Sequence, residues 1–217
     1  MTRPDAIIFD MDGTLWDATQ SYAQIWNETF AQMGIPSRLS GQELHIHMGS
    51  SLDEIIHQVI TAQGIHIDLN EFLRRLTLNE ARLMPRLGGT LYDGVRSGLE
   101  TLAKDYPLLL LSNCSASGLR NFMHFTGTHH LFSDALTHGE RPVPKSENLL
   151  FLAQKHRFTA PVYMGDTQAD CDATHQAGFT FAFARYGFGS CHDSDFAVDS
   201  FTEFVKLLSP DRFAQSN

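Results

Sequence analysis

AIIFDMDGTLWD, residues 6–17, changes character abruptly after its fourth residue. The run Ala6-Ile7-Ile8-Phe9 has no polar alternation, which suits a strand buried on both faces in the middle of a parallel sheet. Open α/β sheets gather ligands at the carboxyl ends of such strands, which is where Asp10 falls. Gly13 lets the backbone turn sharply and approach a ligand closely. Two acids two apart in a tight turn can project into one pocket. At about 4 Å they repel by roughly 4 kcal/mol at an effective dielectric of 20, and a cation is the natural remedy. Asp10, ionised and metal-neutralised, is then a candidate nucleophile, and Asp12 a candidate proton carrier. An Asp-Gly turn with solvated acids would carry the same letters, so the reading depends on the rest of the chain.

Downstream of Asp17 the pattern becomes helical as far as Pro85. Tyr22, Ile25, Trp26, Thr29, Phe30 and Met33 recur at three- and four-residue spacing, and Gly34 with Pro36 closes that helix. Capping boxes follow at Ser40 with Glu43, Ser51 with Glu54, and Asp68 with Glu71. The second opens a helix of Leu52, Ile55, Ile56, Val59 and Ile60, the third one of Leu69, Phe72, Leu73, Leu76 and Leu83. Residues 85–90, with a proline and a glycine pair, read as a linker.

Strand and helix then alternate. Strands are predicted at 107–111, 134–137, 161–164, 179–184 and 196–198, and helices at 95–104, 116–125, 145–156, 169–177 and 201–208. That repetition predicts an α/β fold with a doubly wound parallel sheet and helices on both faces. The expected organisation is a core of residues 1–16 and 86–217 with an inserted all-helical cap over 17–85. Residues 209–217 read as a loose tail.

With 217 residues, 42% apolar and 19% charged, the chain describes an ordinary globular protein. A formal charge of −9, from 16 basic and 25 acidic residues, disfavours nucleic acid and anionic membrane as partners. It leaves an anionic substrate open, because one lysine or cation reverses the field locally. Three cysteines without CxxC spacing, no signal pattern and no long apolar run lead to the expectation of a soluble cytoplasmic protein, monomer or homodimer.

Three more polar groups stand at comparable places. Ser112-Asn113 ends a buried strand and offers a hydroxyl and N–H groups to a phosphoryl oxygen, or else caps the next helix. Asp166, in Gly165-Asp166-Thr167-Gln168-Ala169-Asp170, suits an oxygen ligand for Mg²⁺. Asp170 suits a supporting group that steers a ligand or lysine, or both acids simply complement a helix dipole. Lys145, in RPVPKSEN, could neutralise a phosphate and the acids, or lie solvated on the surface.

Together, Asp10-x-Asp12-Gly13-Thr14, Ser112-Asn113, Lys145 and Gly165-Asp166-Thr167-x-x-Asp170 resemble the four motifs of the haloacid dehalogenase superfamily, in order. The resemblance spans the whole chain, and the stretch from Ala177 through Tyr186-Gly187-Phe188-Gly189 is similar to its phosphoglycolate-phosphatase-like branch. It implies a Rossmann-like core and a phosphatase acting on a small phosphorylated metabolite, phosphoglycolate-like or a sugar phosphate. It further implies that Asp10 attacks phosphorus to form an aspartyl-phosphate, while Asp12 protonates the leaving alcohol and then activates water. Ser112, Asn113, Gly13 and Thr14 would contact substrate, with Lys145 holding phosphoryl oxygens and orienting Asp10. Mg²⁺ would be held by Asp10, the Asp12 backbone carbonyl and Asp166, with Asp170 in support.

One departure concerns the lysine motif: many relatives have KPxP where this chain has Arg141-Pro142-Val143-Pro144, so Lys145 is chosen and Arg141 is the fallback. An acid at position 12 argues for a phosphate ester over a dehalogenase or phosphonatase substrate, because an alkoxide leaving group needs a proton. A mutase of the β-phosphoglucomutase type and a pyrophosphatase are the enzymatic alternatives. A receiver domain, and a binding protein that kept the fold without catalysis, are the non-enzymatic ones. The turn His47-Met48-Gly49-Ser50-Ser51 is the expected substrate-facing cap loop, and Trp16 is expected to pack at the hinge. His45 with His47, and His129 with His130, lack the further ligands a metal site needs. Cys114 is expected to be a small buried thiol beside the pocket.

Overall fold

The computed structural model describes residues 2–36, 38–48 and 52–209. Strand β1 (Ile7–Phe9) leads through β2 (Trp16–Asp17) to helices α1 (Thr19–Gln32), α2 (Gly41–His45), α3 (Leu52–Gln63) and α4 (Leu69–Leu87). There follow β3 (Thr90–Leu91), α5 (Val95–Leu102), β4 (Leu108–Ser112), α6 (Gly118–Thr126), β5 (Asp134–Thr137) and α7 (Lys145–His156). The chain ends its regular structure with β6 (Val162–Gly165), α8 (Gln168–Gln176), β7 (Thr180–Ala184), β8 (Phe196–Val198) and α9 (Phe201–Leu207).

Six strands form one parallel sheet in the order β5-β4-β1-β6-β7-β8. β1 pairs with β4 (Ile7 beside Leu108) and with β6 (Ile7 beside Val162). The chain therefore moves outward from β1 in one direction and then in the other, which makes the β1 carboxyl end the switch-point crevice. Because side chains alternate along a strand, the apolar runs supply two cores. Ile7, Phe9, Leu108, Leu110 and Met164 join Leu99, Phe201 and Phe204 of α5 and α9 on one face. Ile8, Leu109, Leu111, Tyr163 and Phe181 join Leu149, Leu152 and Cys171 of α7 and α8 on the other. Absence of polar alternation in these strands is thus the imprint of helices on both faces.

Between β1 and β4 lies the helical insertion. α1 packs against α2 and α4, through Trp26, Phe30 and Phe72. The Phe30 and Phe72 rings stack with centroids 5.0 Å apart, and Trp26 meets Phe72 edge-on at 5.4 Å. The box at Ser40 and Glu43 forms reciprocally. At Asp68 only half of it does: Asp68 accepts the Glu71 N–H, whereas the Glu71 carboxylate binds Arg74 and Arg75. Ser51, with Gly49 and Ser50 of the expected cap loop, lies outside the described residues, as do residues 210–217 of the expected tail.

Two expectations are corrected. α4 runs through Pro85 to Leu87, where a linker was expected. A proline in the last turn forfeits only its own N–H, and the helix stops three residues later at Gly88, whose φ of +59° ends it. The remainder of that stretch forms an antiparallel two-residue ribbon, Trp16 beside Leu91 and Asp17 beside Thr90, where the chain leaves and re-enters the sheet domain. Trp16 is fully buried and packs on Phe122 with centroids 5.0 Å apart. Among the described residues no helix is long and apolar enough to cross a membrane.

Phe72→Ala should destabilise the protein by about 3–5 kcal/mol, read from chemical denaturation. A change under about 1 kcal/mol would contradict the Trp26–Phe30–Phe72 packing.

Candidate active site

Asp10 follows β1 directly, and its N–H continues the ladder by donating to the Met164 carbonyl at 2.8 Å. Its side chain is only 8% exposed. The next residues wind into a tight turn, with the Leu15 N–H donating to the Met11 carbonyl at 2.9 Å. That turn carries the Asp12 carboxylate to the indole of Trp16, whose Nε1–H donates to Oδ1 at 2.9 Å.

Lys145 is the first residue of α7, entered through Pro142 and Pro144. Its ammonium donates to Asp10 Oδ1 at 3.2 Å and to Asp170 Oδ1 at 2.5 Å. Asp170 has a second task on its other oxygen. Oδ2 accepts from the Thr167 hydroxyl at 2.7 Å and from the Thr167 and Asp166 N–H groups, in a capping box that opens α8. Asp170 therefore both opens a helix and touches the lysine.

Asp166 follows β6 and is almost fully buried. Its Oδ2 accepts the Phe188 N–H at 2.7 Å, and the Thr14 hydroxyl lies 3.4 Å from Oδ1. Gly13, at φ +83°, lies so close that a Cβ there would sit 2.1 Å from Asp166 Oδ2. Only glycine permits both that backbone angle and that approach.

Burial pushes Asp10 up to about 6; Lys145 pulls it down and Asp170 pushes it up again. Burial, then Asp170 and Asp10, hold Asp166 well above the ordinary carboxylate range. Burial and then Asp10 do the same to Asp12. For Lys145, burial works against the charge, but Asp10 and Asp170 outweigh it and raise the ammonium's pKa. Ligand oxygens of Asp10, Asp166 and Asp170 all lie within 4.8 Å of one another, the only such metal-capable group among the described residues. Three carboxylates this close, two of them on one lysine, fit a divalent cation.

Above Asp10 lies a cavity of about 90 Å³. The sheet domain contributes Asp10, Asp12, Ser112, Asn113 and Lys145, and the helical insertion closes it with Tyr22, Trp26, Leu44, Met48 and Glu80. Ser112 is the last residue of β4, and α6 begins only at Gly118, so Ser112 is not that helix's cap. Gly13 and Thr14 do not line the cavity; they pack against Asp166 from below. Arg141 donates to Asn148 Oδ1 at 2.7 Å and lies over the Phe151 ring, away from Asp10. His129 meets His130 edge-on, His45 meets Phe188 in the same way, and His47 bonds Gln58. Cys114 lines the cavity, and burial raises its thiol pKa.

Four participants were missed by sequence reasoning. Tyr163 donates to the Leu111 carbonyl at 3.0 Å and lies 3.4 Å from Asp10 Oδ1; a phenol in an otherwise apolar strand was the available signal. Glu80 interrupts the apolar stripe of α4 between Leu76 and Leu83, which marks it as facing inward. Tyr22 reads as a core residue of α1, yet its phenol is pushed up by burial and by Asp12. The Phe188 N–H has no sequence signal, being backbone.

Residues 7–184 match the model of the haloacid dehalogenase-like hydrolase family, and the chain belongs to that family. It is thus an enzyme of the hydrolase class. Among its relatives, a phosphoglycolate phosphatase of Vibrio parahaemolyticus is 26% identical, over 96% of this chain and 99% of that one. One from Chromobacterium violaceum is 27% identical, over 94% and 96%. In fold, the chain is similar to a crystal structure described as a predicted phosphoglycolate phosphatase from Haemophilus somnus. The TM-score is 0.83 at 23% identity, with 96% and 100% covered.

Raised carboxylate pKa values mean that the folded protein binds more protons than the unfolded chain. Without a divalent ion, stability should therefore fall as pH rises from about 4 through about 6, the interval between the ordinary aspartate value and that of Asp10. Melting temperature in EDTA, followed across pH 4.5–7.5, checks this on the order of single pH steps; a curve that rises over the interval would contradict the described charge balance.

Proposed function

We propose that this protein is a Mg²⁺-dependent phosphatase that hydrolyses a small phosphomonoester through a phospho-Asp10 intermediate. The observation that carries the reading is the Asp10 carboxylate at a strand end, 3.2 Å from the Lys145 ammonium, on the floor of a cavity with Asp12 beside it. An Asp10 oxygen attacks phosphorus, and the bond to the ester oxygen breaks. Asp12, kept protonated by its raised pKa, gives its proton to the departing alkoxide. It then takes a proton from the water that attacks phospho-Asp10, which releases phosphate and restores both acids. The Trp16 indole keeps Asp12 aimed during both transfers.

Ser112 and Asn113 hold phosphoryl oxygens from the end of β4, and Lys145 does so from α7. Asp10, the Asp12 backbone carbonyl and Asp166 would hold Mg²⁺, with Asp170 supporting them through Lys145. When bound, the ion offsets repulsion between the anionic nucleophile and an anionic ester. Gly13 and Thr14 are reassigned from substrate contact to the seating of Asp166. We assign residues 17–85 as the cap, with the β2–β3 ribbon as its stem, excluding bulk water when closed. The three free cysteines fit a reducing cytoplasm.

Phosphate release from p-nitrophenyl phosphate should need Mg²⁺ and stop with EDTA. Asp12→Ala should lose ~10²–10⁴-fold in turnover, the range for general acid–base groups; an unimpaired variant would remove Asp12 from the mechanism. Lys145→Ala should lose nearly all activity, whereas Arg141→Ala, whose guanidinium is half-buried against Asn148 and makes no contact with Asp10, should stay within about threefold of wild type. The reverse ranking would return the lysine-motif role to Arg141.

A further inference from the structure

The cap side of the cavity has a charge pattern that bears on the substrate. Lys145 is the only cation on the cavity wall among the described residues, and Asp10 and Asp170 already engage it. Away from the phosphoryl end, the wall is mostly apolar, with Ile25, Trp26 and Leu44 among its residues, and its polar groups are Tyr22, Glu80 and the Ser115 hydroxyl. Glu80, on α4, accepts the Ser115 hydroxyl at 2.8 Å and so faces the core rather than solvent. Burial raises its pKa, as expected for an acid with no cation beside it.

A substrate whose leaving alcohol bears a carboxylate would place that charge in an apolar enclosure beside an acid. Like charges brought together in a poorly solvated site are strongly disfavoured and act as a specificity filter. A neutral or cationic leaving group meets no such obstacle, and a hydroxyl or ammonium could donate to Glu80.

Building on the phosphatase reading above, we infer that this site takes short phosphomonoesters whose alcohol carries no carboxylate, and that Glu80 is the residue that turns carboxylates away. The substrate class is a small apolar alcohol phosphate, with at most a hydroxyl or ammonium donor directed at Glu80. The phosphoglycolate of the relatives' names falls outside it.

Three two-carbon esters that differ only in charge test this: 2-phosphoglycolate, ethyl phosphate and O-phosphoethanolamine. Each is assayed for kcat/KM by phosphate release in Mg²⁺, with p-nitrophenyl phosphate as the reference ester. The wild-type enzyme should favour ethyl phosphate and O-phosphoethanolamine over 2-phosphoglycolate by about tenfold or more. In Glu80→Gln the ratio of kcat/KM for 2-phosphoglycolate to that for ethyl phosphate should rise about tenfold, and the preference for the amine should shrink. Equal or better turnover of 2-phosphoglycolate by the wild type, with p-nitrophenyl phosphate cleaved, overturns the inference and leaves the phosphatase reading standing. An unchanged ratio in Glu80→Gln overturns the role of Glu80. No phosphate from any of the four esters overturns the phosphatase reading and this inference with it. If Glu80→Gln does not fold, the wild-type series decides the substrate class, and Glu80→Ala takes over the test of the residue.

Discussion

A buried ammonium that touches two carboxylates holds this molecule's chemistry in place. Lys145 reaches Asp10 at 3.2 Å and Asp170 at 2.5 Å, with its side chain 9% exposed. Charges this deeply buried persist only when paired and hydrogen-bonded. Asp170 meets that condition by spending its second oxygen on the Thr167 turn, and Asp10 through the Lys145 ammonium, with the Tyr163 hydroxyl 3.4 Å from the same oxygen. One side-chain nitrogen therefore fixes β1, α7 and α8 relative to each other. Yet the cluster stays short of positive charge, with Asp10, Asp166 and Asp170 around a single lysine. Burial raises the pKa values of Asp10 and Asp166, and the neighbouring acids add to it.

Sheet order explains why these groups meet. β1 lies between β4 and β6, so Asp10, Ser112 and Asp166 emerge side by side although they are far apart in sequence. α7 and α8 pack against each other on one face, which brings Lys145 to Asp170. The cap then closes the remaining side through α1 and α4. The Ser115–Glu80 hydrogen bond joins it directly to the β4–α6 loop. The cavity wall is thereby divided between the sheet and the cap, and the chain crosses between the two at the Trp16–Leu91 ribbon.

Much of this was legible in the residues. Uninterrupted apolar runs such as Leu108–Leu111 located the sheet, because burial on both faces erases alternation. Polar residues placed just after those runs located Asp10, Ser112 and Asp166. Lys145 was separable from Arg141 only in space, since Arg141 lies in the loop before α7 and turns to Asn148, whereas Lys145 opens the helix and reaches Asp10. Other features left little trace. Trp16–Asp17 and Thr90–Leu91 are too short for any periodicity to register. Pro85 reads as a break, but in a final turn the helix tolerates it. The Phe188 N–H supports Asp166 through backbone, which the sequence does not encode by residue type. Thr14 was misplaced because a motif gives proximity and not direction: its hydroxyl turns to Asp166 instead of the cavity.

Identifying the residue that carries the phosphoryl group during turnover tests the central claim most directly. Wild-type enzyme mixed with ³²P-labelled p-nitrophenyl phosphate, acid-quenched in the first turnover and digested, should yield label on the peptide containing Asp10 and on no other. Label on a different peptide, or release of phosphate at full rate with no labelled protein at any quench time, would contradict it.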